Sequence, residues 1–218
     1  MTIKQRSNLV ILLFTLLGIT MISACHDTPS PPKITTIGIQ PYENFSPALM
    51  DTIERSLKEV YGFDLVRLPT QALPKWAFTT LRSPRYRADS LLKHLKRNRP
   101  DSINYMLGLT KKDISTTKRN QDGSIKAPVN RYIDWGIFGL GYRPGPSCVV
   151  SIYRLKNKNK TRYYNRIKKI CMHEIGHCLG LPHCDNHPKC VMRDAAETIK
   201  TIDKVDLWLC DACKRQIE

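Results

Sequence analysis

No apolar stretch of this chain is long enough to cross a bilayer as a helix. The longest, Leu9–Ile22, runs 14 residues, where a spanning helix needs about 20. Acidic residues are also in short supply. Against 35 Lys and Arg stand 19 Asp and Glu, a formal net charge of +16 over 218 residues. Such a surplus suits anionic surfaces, whether lipid headgroups, acidic envelope polymers or nucleic acid. No nucleic-acid recognition motif accompanies it, so nucleic acid is not expected as a partner. Histidine is scarcer still: the chain has 6, yet four of them fall between positions 173 and 187.

The apolar stretch near the start reads as a targeting signal. Lys4 and Arg6 precede it, and it ends in Ile22-Ser23-Ala24-Cys25, which resembles a bacterial lipobox. Residues 1–24 are then expected to be a lipoprotein signal peptide, with Cys25 carrying a diacylglycerol after cleavage. A plain secretory peptide with an incidental Cys25 is the alternative. Residues 25–32, with three prolines, form an extended tether. That leaves 33–218 as one domain, expected to be monomeric, exported and lipid-anchored to the bacterial cell envelope on its periplasmic or outer face.

Within that domain, Ile34–Gln40 reads as a strand. Ser46-Pro47 opens an amphipathic helix over 47–61, and Phe63–Leu68 is a second strand. Residues 69–86 read as irregular. Ala88, Leu91, Leu92 and Leu95 mark a second helix, from which His94 faces solvent. Ile103–Leu109 is a strand, 111–130 a polar loop over the site, and Tyr132–Tyr142 and Cys148–Leu155 two further strands. Gly139-Leu140-Gly141 lies in a strand with no helix after it, which rules out a nucleotide loop. Arg154 to Lys169 holds eight Lys or Arg and no acid, either a solvated face or an anionic-lipid contact. Residues 161–179 form a helix in which Cys171 and Cys178 pack as small apolar groups.

That helix carries His173-Glu174-Ile175-Gly176-His177-Cys178-Leu179-Gly180-Leu181-Pro182-His183. Positions four apart share a helix face, so His173 and His177 can address one ion. Gly180 can adopt the left-handed conformation that ends a helix and returns His183 to the same ion. Three imidazoles leave one position of a tetrahedral zinc open for water. Glu174, beside the first ligand, is placed to take a proton from that water. Cys184, Cys190 and Cys210-Asp211-Ala212-Cys213 follow, a set that suits a closed structural zinc. Disulfides are the competing reading in an oxidising compartment, and His187 could replace one sulfur.

The stretch from His173 to Cys213 resembles the archaemetzincins, whose signature H-E-x-x-H-x-x-G-x-x-H-C-x5-C-x-M-x17-C-x-x-C it fills at every position. The resemblance implies an α+β or α/β metzincin-like fold. It would have a mixed twisted sheet of about five strands with two helices, an active-site helix and a short zinc-pinned C-terminal part. It also implies two zinc ions: a catalytic one on His173, His177 and His183, and a structural one on Cys184, Cys190, Cys210 and Cys213. Glu174 would be the general base and Met192 the methionine turn beneath the metal. The implied activity is hydrolysis of a peptide or protein substrate; a strand edge beside the cleft, Cys148–Leu155, is expected to hold it as an added strand. A catalytically silent, lipid-anchored zinc or peptide-binding protein is the alternative. The family is best known from cytosolic proteins, so the export signal is a departure.

Overall fold

The structure, a computed structural model, describes residues 35–194 and 198–217. The signal-like segment, Cys25 and the tether lie outside the described residues. Chain order runs β1 (Thr36–Pro41), α1 (Pro47–Tyr61), β2 (Asp64–Arg67), β3 (Phe78–Thr79), β4 (Arg85–Arg87), α2 (Ala88–Arg97), β5 (Tyr105–Thr110) and β6 (Ile114–Thr116). It continues through α3 (Val129–Tyr132), β7 (Trp135–Ile137), β8 (Gly139–Gly141), β9 (Ser147–Ser151), α4 (Lys160–Cys178), α5 (Ile199–Lys204) and α6 (Asp211–Lys214).

Alternation along the strands explains the layering. Ile37, Ile39, Leu107, Leu109, Cys148 and Val150 point to one face of the main sheet and bury against α1 and α4. Met106 and Val149 point to the other, against the α2 stripe Leu91, Leu92 and Leu95. Strands covered on both faces read as continuous apolar runs, as β5 and β9 do. The sheet order is β2-β1-β5-β9-β8. The first four strands run parallel, and β8 returns antiparallel to β9 with Leu140 opposite Val149. At the start of α1 the Ser46 hydroxyl accepts from the Leu49 N–H, with Pro47 in the first turn. The chain is thus a mixed α/β fold.

Three expectations need correction. The run 132–142 is two strands: β7 belongs to a second sheet, ordered β3-β4-β6-β7, and β8 to the first, so the chain changes sheets at Phe138. Stretches 69–86 and 111–130 supply the rest of that second sheet. The former contains a 3-10 turn at Lys75–Ala77, β3 and the start of β4; the latter contains β6 and enters α3. Strands of two or three residues are too short to leave a periodic signal. Finally, Cys148–Leu155 is no sheet edge. Its strand β9 lies between β5 and β8, and the edge strand on that side of the sheet is β8.

Candidate metal centre

Helix α4 begins at an Asn159 cap whose side-chain oxygen accepts from the Arg162 N–H at 2.9 Å. Its basic face is partly structural: Arg166 is buried and makes a two-pronged pair with Asp203 at 2.7 and 2.6 Å. Every residue from Ile170 to Cys178 except the small Gly176 carries a side chain, and all are buried. The site therefore sits where the helix dives under the sheet edge.

His173 and His177 face each other with ring centroids 4.5 Å apart. Gly180, at φ +100°, ends the helix in the left-handed conformation. The turn brings the His183 ring to 5.3 Å from His173 and 5.0 Å from His177. One ligand atom from each of the three lies within 4.8 Å of the others. His173 Nδ1 is 2.8 Å from the Val191 carbonyl, and His177 Nδ1 is 2.8 Å from the Leu181 carbonyl. A carbonyl only accepts, so each Nδ1 carries the proton and each Nε2 offers a lone pair. Burial pushes His173 down to about 3 and lowers His177, which keeps both neutral and ligand-competent. His183 is more open, with its Nδ1 3.7 Å from the Asp194 carboxylate.

Glu174 is 6% exposed, and burial pushes its carboxyl up to about 8. A divalent cation nearby would oppose that shift. What confines it is β8. A Cβ on Gly139 would stand 2.6 Å from Glu174 Oε1, and one on Gly141 would stand 2.9 Å from the Glu174 carbonyl. The glycines of β8 therefore serve close packing of a sheet edge on the helix. Together these elements line a cavity of 460 Å3 that also includes Thr116, Lys118, Ile137, Phe138, Leu140, Arg143 and Asp194. None of these seven reads as a site residue in the sequence. They come from three separate segments, and the Gly-Leu-Gly pattern among them reads in the sequence only as part of a strand.

The four cysteines of the signature converge as well. Cys184 Sγ is 3.6 Å from Cys210 Sγ, and Cys190 Sγ is 3.8 Å from Cys213 Sγ. All four are buried, with their sulfurs within 4.8 Å of one another. A tetrahedron with 2.3 Å Zn–S arms has edges of about 3.8 Å, so the spacing fits a zinc. It does not fit disulfides, whose S–S bond is about 2.05 Å. His187 is not part of this cluster; it packs edge-on against Trp208 at 4.9 Å. The two clusters are wired together. Cys184 follows His183, its N–H donates to the Met192 carbonyl at 2.9 Å, and Cys190 precedes Val191, whose carbonyl orients His173. Met192 is fully buried, its sulfur 2.5 Å from where a Cβ on Gly176 would be. Cys148, Cys171 and Cys178 are buried packing groups, and burial pushes the Cys148 and Cys171 thiols up.

Known proteins carry the same plan. The sequence profile described as peptidase family M54 matches residues 32–218. The archaemetzincin of Halobacterium salinarum is 31% identical over 171 residues, covering 74% of this chain and 87% of that one. That of Haloquadratum walsbyi is 33% identical over 169 residues, covering 73% and 86%. Among solved structures, the archaemetzincin of Archaeoglobus fulgidus complexed with malonate superposes with a TM-score of 0.66 at 27% identity, over 84% of this chain and 100% of that one. The archaemetzincin of Methanopyrus kandleri shares the fold with a TM-score of 0.70 at 24% identity, over 87% and 96%. With the fold, the histidine triad and the thiol cluster all in place over that length, the chain belongs to peptidase family M54, the archaemetzincins.

Proposed function

We propose that this chain, a zinc metallopeptidase by its family, hydrolyses peptide bonds with Glu174 as general base and with two zinc ions of different roles. One observation carries the reading: a buried carboxyl sits beside three converging imidazoles, two of which hold their Nδ1 atoms on carbonyls while the third lies 3.7 Å from the Asp194 carboxylate. His173, His177 and His183 would hold the catalytic ion. Bound there, zinc supplies Lewis-acid activation of water and of the scissile carbonyl. Glu174 takes the proton of the attacking water and delivers it to the leaving amine. Burial favours the protonated form of Glu174, so its carboxylate is a stronger base toward the proton of the water than a solvated carboxylate.

Substrate would lie along β8. Phe138 and Tyr142 bond to β9 through Ser151 and Ser147. Antiparallel pairing alternates direction, so Gly139 and Gly141 turn their backbone groups away from β9, toward a strand not yet there. Cys184, Cys190, Cys210 and Cys213 would hold the second ion and pin the loop that bears His183, Val191 and Met192. Together these features give the domain a metzincin-like organisation. The lipobox-like segment supports export and anchoring through Cys25.

The test is Glu174→Gln. The variant should keep its zinc content and lose peptide cleavage by about 10²–10⁴-fold, the contribution of a positioned base. Cleavage at the parent rate would overturn the assignment. A silent zinc-binding protein would require no carboxylate at this position.

A further inference from the structure

Away from the cleft, the 3-10 turn and the segment after it present three large apolar side chains within six residues: Trp76 is 59% exposed, Phe78 46% and Leu81 59%. They are not loose. Between them Ala77 is fully buried, and Leu73 anchors the approach at 5% exposure. The Trp76 ring rests edge-on against His94 of α2 at 5.9 Å, and Phe78 against Tyr86 of β4 at 5.2 Å. A turn anchored by buried Leu73 and Ala77 thus holds three bulky apolar side chains in solvent close together in the chain, which suits a binding surface.

The charge around it is one-sided. From Leu68 to Ala88 there are four basic residues and no Asp or Glu. Arg85 and Arg87 are neutralised by Asp113, Asp134 and Asp89. Lys75 and Arg82 flank the apolar side chains, and Arg97 lies beside His94, against which Trp76 packs. Among the described residues none of these three is ion-paired with a carboxylate. Arg82 spends one N–H on the Arg131 carbonyl at 2.9 Å, a bond that leaves its charge intact. Trp and Phe seat at the boundary between headgroups and acyl chains, and Lys and Arg beside them meet the phosphates. Charge complementarity selects the occupant: an anionic bilayer takes the indole and phenyl groups at its acyl boundary and meets the three cations with its phosphates.

We propose that Trp76, Phe78 and Leu81, rimmed by Lys75, Arg82 and Arg97, seat the folded domain on an anionic lipid bilayer. Each unpaired cation should add roughly fivefold to binding of a strongly anionic membrane.

The full chain bearing Cys25→Ser, which cannot be lipidated there, is mixed with vesicles of phosphatidylcholine alone or with phosphatidylglycerol, some with brominated acyl chains. The emission of Trp76, taken as the difference between this protein and its Trp76→Phe form, should be quenched by brominated lipid in the anionic vesicles. Replacing Trp76, Phe78 and Leu81 together by Ser should weaken partitioning about tenfold or more, while cleavage of a soluble peptide continues at the parent rate. Lys75→Gln with Arg82→Gln should weaken binding to anionic vesicles alone. Absence of Trp76 quenching overturns the proposal, even if the N-terminal segment holds the protein to the vesicle. So does a dimer in sedimentation that the triple Ser variant dissolves, which would assign the surface to a second copy of the chain.

Discussion

Gly139→Ala should disable catalysis without removing the metal. The added Cβ would stand 2.6 Å from Glu174 Oε1, 2.7 Å from its Cγ and 2.9 Å from its Cδ. An ordinary contact begins near 3.4 Å, so the carboxylate must withdraw by about 0.8 Å or the strand must lift by as much. Three side-chain atoms are struck at once, and Glu174 is 6% exposed, so rotating a free end away does not relieve the overlap. Misplacing a reacting group by about 1 Å costs on the order of 10²-fold. The expected result is a fall in kcat of that order, with the zinc content of the parent. Because β8 also holds substrate in our reading, KM and kcat must be measured separately. A loss confined to KM would indicate a blocked strand with an undisturbed base. Parent kcat and KM together would refute the packing of β8 on Glu174.

Three further outcomes follow from other contacts. Gly176→Ala places a Cβ 2.5 Å from the Met192 sulfur and 3.2 Å from the Tyr61 hydroxyl. Overpacking of about 1–3 kcal/mol should outweigh the gain of at most ~1 kcal/mol from helix propensity, read as a lower urea midpoint. Cys213→Ser should lower bound zinc by about one ion per chain and weaken the remaining ion about tenfold, since the same loop orients His173; thiol titration that finds disulfides in the parent would count against it. Asp203→Asn tests linkage. Bonds from Arg166 hold the Asp203 carboxyl below its ordinary 3.8, so its stabilising share is present above that value and lost as pH falls through the lower folded value. The parent should be more stable by about 1–3 kcal/mol at neutral pH, and the difference should begin to narrow near the ordinary carboxyl value of 3.8 and close once pH falls below the lower folded value. A difference that persists there would show that the pair acts through packing alone.

What could be read in advance depends on how far apart the partners lie along the chain. The helix over Pro47–Tyr61 was legible because its cap, its apolar stripe and its stop are all local. The histidine triad was legible for the same reason: its ligands lie within eleven residues on a helix and the turn that ends it. Fold class came with the resemblance of His173–Cys213 to the archaemetzincins. The two-sheet arrangement did not, because β3, β4, β6 and β7 are two to three residues each and exist only through pairing with one another.

By itself, the sequence determined which groups stand together for the proposed chemistry: three histidines that can share one ion, Glu174 beside the first of them, and four thiols close behind. These rest on fixed spacings that a helix or a tight turn converts directly into geometry. Only the tertiary structure decided the cleft. It made β8 rather than β9 the edge strand, set Gly139 against Glu174 across 35 positions, and tied Tyr61 to the Met172 carbonyl at a separation of 111. Such contacts are selected by what fills space beside them, and no local pattern encodes a neighbour that arrives from another part of the chain.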